Sequence, residues 1–261
     1  MATSRSEELR ALAQRVVALL PAHVEDVVLT GSTSRETADE LSDVELLVIS
    51  ETLPEQLPLN ELQTWSPDVE GAHWFGGFFE SEYVELVWWT PAYVEERVAG
   101  LAAGKFVDHR RLRTAEAILH GISLRGDRHA DWCTRLERYP AGLAAAIVDD
   151  VADTWIEPIR SQTSLLRPGD SLMLAERLVE DAQRLLQVVF AVNETWEPGW
   201  KRLPGRLEPL AVKPERFAER IDTAIRSLDL QSMRELAAEA LALAPETEKT
   251  RRARELLLEP L

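Results

Sequence analysis

The chain has 261 residues, 45% of them apolar, enough for a sizeable core in one large domain or two ordinary ones. Its formal net charge of −16 sets an acidic surface against nucleic-acid phosphates and anionic membranes, and favours cationic small molecules. The single cysteine, Cys133, excludes an internal disulfide, and neither an apolar run of about 18 residues nor a signal-peptide pattern is present, so the expected location is the cytoplasm.

In chain order, residues 6–20 carry apolar positions at helical spacing, with Ser6 as the N-cap and Pro21 as the stop. Residues 24–30 read as a strand. Gly31-Ser32 then turns into a short helix over 33–40, and 43–50 read as a second strand. Alternation puts Asp43 and Glu45 on one face of that strand and Val44, Leu46 and Val48 on the other. Two carboxylates so close make a poor packing surface and a good one for a hard divalent cation, which takes oxygen ligands. Gly31 lets the backbone approach a phosphate, and the hydroxyls of Ser32 and Ser42 are donors at either end of the loop. The competing account is an edge strand guarded by acids, with Ser32 as an ordinary helix cap.

Residues 54–58 read as a loop and 59–64 as a short helix. The aromatic and β-branched stretches 72–79 and 82–89 read as strands. Glu85 sits mid-strand between Val84 and Leu86, where an acid needs a reason to be, whereas Glu80 and Glu82 lie near the strand start. Trp89 shares Glu85's face about 13 Å further along and could line an acceptor pocket or stack on a base. Thr90-Pro91 marks a helix start, followed by helices over 92–103 and 109–120 and a last short strand over 122–125. Beyond that, 129–138, 141–160, 171–193, 214–228, 230–243 and 247–258 read as amphipathic helices. Breaks fall at Pro140, 167–169, 197–205 and Pro245. The fold class is α+β: a mixed sheet with flanking helices over 1–130, then an all-α helical bundle over 131–261. Glu176, Glu180 and Asp181 share neighbouring helical faces; they could bind a cationic acceptor or simply pair with Arg177 and Arg184. The five histidines show no metal-ligand spacing.

Gly31-Ser32, followed about a dozen residues later by Asp43-Val44-Glu45-Leu46, resembles the nucleotidyltransferase superfamily of the polymerase-beta type. Sheet followed by helices resembles its two-domain, aminoglycoside-type members, as does the turn Gly199-Trp200-Lys201 behind a helix ending in Asn193. The family has aspartate more often than glutamate at the second acidic position, so Glu45 is a departure. The resemblance implies catalytic and metal-binding roles for Asp43, Glu45 and Glu85, with two Mg²⁺ about 3.5–4 Å apart. It implies ATP as co-substrate, held by Gly31, Ser32 and Lys201, and a small-molecule hydroxyl acceptor; Ser42 could add a donor to the phosphates, and Trp89, Glu176 and Asp181 could contact the acceptor. No nucleic-acid or membrane partner is expected, and the chain would act as a monomer or homodimer. Two alternatives stay open: transfer to a protein or RNA, as in the toxin-neutralising branch, and a nucleotide-binding module without turnover.

Overall fold

The computed structural model describes residues 3–65, 71–157 and 159–261. Helix α1 (Ser4–Leu19) starts at Thr3, whose hydroxyl accepts from the amide of Ser6, so the cap lies one turn before the position expected at Ser6. Ser6 is instead buried, and its Oγ accepts from the amide of Ala38. Next come β1 (Asp26–Thr30), a single turn α2 (Gly31–Ser34), β2 (Val44–Ile49), β3 (Asn60–Trp65), β4 (Ala72–Phe79) and β5 (Glu82–Trp89). Helices α3 (Pro91–Ala102) and α4 (His109–Leu119), strand β6 (Ile122–Arg125) and helix α5 (Arg128–Leu136) follow. Thr90 caps α3 through the amide of Tyr93, with Pro91 in its first turn, as the sequence predicts.

The six strands lie in the order β3-β4-β5-β2-β1-β6. Among the described residues only β2 and β5 pair in parallel; the other neighbours are antiparallel. Residues 59–64, expected as a helix, form the edge strand β3, where Gln63, Thr64 and Trp65 pair with Gly76, Phe75 and Trp74. That pairing is non-local, and it overrides a weak local pattern. The helix expected over 33–40 is cut to one turn at Ser34, with Arg35 closing it.

Val27, Leu29, Val44, Leu46, Val48, Val84, Leu86 and Trp88 share one sheet face and bury it against Leu9, Leu12, Ala13 and Val16 of α1. Each such valine or leucine contributes about 1.5–3 kcal/mol by leaving water. On the opposite face Asp26 is buried and accepts from the Arg128 amide at 3.1 Å and its Nε at 2.6 Å, which ties β1 to the start of α5.

Two compact units are present: Met1–Ala103 with Thr114–Arg138, and Gly104–Arg113 with Tyr139–Leu261. The second consists of α6 (Leu143–Thr154), α7 (Ile159–Ser164), α8 (Ser171–Val192), α9 (Leu203–Leu207), α10 (Phe217–Ser227), α11 (Leu230–Leu241) and α12 (Glu248–Leu257). The helix expected over 141–160 stops at Thr154, and α9 falls where a break was expected. Helix α8 is central, packing on α6, α10 and α11 through the stripe Leu174, Leu178, Ala182, Leu185 and Val189. Among the described residues no helix is long and apolar enough to cross a membrane.

The second unit also buries charge. Glu197 is 2% exposed; its Oε1 accepts from Gln183 at 2.6 Å and lies 3.7 Å from Arg113 Nε, while its Oε2 is buried without a hydrogen-bond partner. Burial outweighs these partners and pushes its pKa up to about 7. Because the folded value lies above the unfolded one, this group's stabilisation is present below pH ~4.5 and is lost as pH rises through about 7. Glu197→Gln, which mimics the neutral form, should therefore stabilise the protein by on the order of 2–3 kcal/mol at pH 8 and leave it nearly unchanged at pH 4.5, read by denaturant melts at both pH values.

Candidate active site

The parallel pairing of β2 and β5 sets Glu45 directly beside Glu85. Residues in register on neighbouring strands share a face, with strands about 4.8 Å apart. The same level continues to Thr30 on β1 and Gly76 on β4. Glu45 and Glu85 are both half-buried, and Gly76 places no side chain beside Glu85. Asp43 is half-buried and precedes the first residue of β2; its carbonyl accepts from Thr33 Oγ1 at 3.2 Å.

The turn above this level is fitted to Glu45. Gly31 has φ +72°, the left-handed region that favours glycine, and a Cβ there would stand 2.5 Å from Glu45 Oε2. Thr30 Oγ1 donates to the Glu45 carbonyl at 3.3 Å, so the end of β1 is bound to the start of β2 by side chain as well as ladder. Ser32 is half-buried in the same turn. Ser42 spends its hydroxyl locally: Oγ donates to Asp39 Oδ1 and accepts from the Asp39 amide, each at 2.9 Å.

As a cation site, the Glu45–Glu85 level offers oxygen donors from adjacent strands on one half-exposed face, a donor set that fits Mg²⁺. Among the described residues no three His, Cys, Asp or Glu side chains converge as ligands, so Asp43 does not complete a preformed cluster with the pair.

Trp89 lies two levels beyond Glu85, opposite Ile49 and Ala72, and is 8% exposed with its ring edge-on to Tyr93 at 5.1 Å. It belongs to the packed end of that face. Asp181, 2% exposed on α8, accepts from Trp155 Nε1 at 2.8 Å, Arg184 Nη1 at 2.9 Å and Arg177 Nε at 2.8 Å. Those three donors make its carboxylate a tie within the helical unit. Glu176 is exposed on α8, and Lys201 is exposed beside Trp200. Trp200 stands at a cavity of about 770 Å³ between α9 and α10, with a floor of Leu203, Leu207, Phe217 and Ile221. Its rim includes the ion pairs Arg216–Glu219 and Arg226–Asp222.

The sequence reading passed over two charged residues at the turn. Arg35 donates to the Gly31 carbonyl at 2.6 Å and forks onto Glu116 of α4. The one local signal was Glu116 itself, an acid on the stripe that Leu112, Ala115 and Ile118 bury.

Residues 9–112 match the family model for the nucleotidyltransferase domain. No curated protein matches the chain. Among solved structures, a nucleotidyltransferase-like protein from Exiguobacterium sibiricum is similar at 14% identity over 97% of this chain and 72% of that one, with a TM-score of 0.39.

Gly31→Ala would both strain the backbone and drive a methyl group into Glu45. The substitution should cost about 1–3 kcal/mol in denaturant melts. Adding Glu45→Ala should recover part of that cost, because the contact disappears while the φ strain stays; a strictly additive double mutant would show that the two residues do not meet.

Proposed function

We propose that the chain is a nucleotidyltransferase that moves AMP from ATP onto a hydroxyl group of a small cationic molecule of aminoglycoside type. The observation that carries the reading is the Glu45–Glu85 level beneath Gly31, inside the stretch that matches the nucleotidyltransferase domain. In the reaction the acceptor oxygen forms a bond to the α-phosphorus, the bond from that phosphorus to the bridging oxygen breaks, and pyrophosphate leaves. Glu85 is the candidate to take the hydroxyl proton, since it stands beside Glu45 on a half-exposed face. Gly31 gives the phosphates room to approach the backbone, and the Ser32 hydroxyl is a donor to them. Asp43, Glu45 and Glu85 would hold Mg²⁺, which when bound neutralises charge on the phosphates and favours the ionised acceptor hydroxyl. Lys201 as a phosphate ligand is supported by its place in the Gly199-Trp200-Lys201 turn, and Glu176 as an acceptor contact by its exposed carboxylate. The net charge of −16 supports a cationic acceptor. The reaction belongs in the cytoplasm, where nucleoside triphosphates are supplied.

A second reading is a nucleotide-binding module without turnover. Transfer of label from α-³²P ATP to a panel of aminoglycosides, lincosamides, tRNA and protein separates the two. Labelled product from an aminoglycoside is the expected result; nucleotide binding with no product from any acceptor would establish the second reading. In the active case Asp43→Asn should abolish pyrophosphate release. Glu85→Gln should lower turnover about a hundredfold or more while leaving ATP affinity within about threefold, and an unchanged rate would remove Glu85 from the proton transfer.

A further inference from the structure

The side chains of Arg35 and Glu116 are only 11% and 7% exposed. Arg35 Nε donates to Glu116 Oε1 at 3.1 Å, and its Nη2 donates to Glu116 Oε2. The remaining arm, Nη1, donates to the Gly31 carbonyl at 2.6 Å, where Ser34 Oγ also donates at 3.0 Å. A planar guanidinium with five N–H donors can face a carboxylate with one edge and a carbonyl with another; a lysine ammonium has no such fork. His120 also approaches the pair, with Nε2 3.8 Å from Glu116 Oε1.

The consequence follows from peptide geometry. In a planar trans peptide the C=O and the following N–H point in opposite directions. Fixing the Gly31 carbonyl toward Arg35 therefore turns the Ser32 N–H the other way. The Glu45 carboxylate lies close to the same glycine, where a Cβ would stand 2.5 Å from its Oε2. A buried ion pair adds little net stability over apolar side chains of the same volume. What this pair adds is a rigid donor directed at a single carbonyl.

We propose that Arg35 and Glu116 form a clamp that positions the Gly31–Ser32 peptide, so that the Ser32 amide donates to a phosphate of a nucleoside triphosphate lying beside Glu45. Neither residue touches the reacting atoms; both are positioning residues. The phosphate part of the proposal rests on the nucleotidyl-transfer reading, whereas the clamp itself rests on the hydrogen bonds.

The test is the double variant Arg35→Met/Glu116→Met, which removes the donor and its carboxylate while keeping the volume filled, so that the fold survives where Arg35→Ala alone fails. Amide hydrogen exchange over residues 31–36 should rise about tenfold or more in the double variant, with the rest of the sheet unchanged. The rate of pyrophosphate release should fall about a hundredfold, through kcat more than KM, as expected when a phosphate is misplaced by about 1 Å. Unchanged exchange over 31–36 in a folded double variant overturns the clamp, whatever the wild-type activity. Raised exchange in a protein whose wild type transfers nothing upholds the clamp and removes the transfer reading.

Discussion

The parallel pairing of β2 with β5 is the constraint on which the rest of this structure depends. It sets one register for two faces at once. On the inner face it stacks Val44, Leu46 and Val48 against Val84, Leu86 and Trp88 and buries them under α1. On the other it brings Glu45 to Glu85. Because side chains alternate with a period of two, a slip of one residue by either strand would carry its acid into the core and its aliphatic set out to solvent. Burial of the inner face thus holds the acids in place, with no interaction between the acids themselves required to set the register.

Above that level the backbone is located by side chains rather than by ladder bonds. Thr30 and Thr33 bind the carbonyls of Glu45 and Asp43, and Ser34 and Arg35 bind that of Gly31. A four-residue turn has little cooperativity of its own, so these tertiary bonds decide its shape. The cost is a buried carboxylate, Glu116, whose charge is met by Arg35. Glu197 in the helical unit is also buried: its cation stands at 3.7 Å, one oxygen has no partner, and burial favours the neutral acid.

Strands β4 and β5 were legible because their aromatic and β-branched runs are long and bounded by turns, and α3 because Thr90-Pro91 is a local signal. Glu85 could be singled out as an acid in mid-strand, yet its position beside Glu45 could not, since it follows from pairing across some forty intervening residues. Strand β3 was read as a helix for the same reason: its partner β4, not its own sequence, makes it a strand. Arg35 and Glu116 are separated by 81 positions, and nothing local marks them as partners. Periodicity reports which face a residue occupies; it carries no information on which side chains meet across the fold.

Like charges in register on adjacent strands are destabilising, and here they occupy the half-exposed part of a face whose other end is packed around Trp89 and Ile49. The cavity between α9 and α10 has the opposite character, with Phe217 and Ile221 in its floor and rim charges paired by sign. A polycation gains little from such a floor, whereas an apolar ring or chain gains by leaving water.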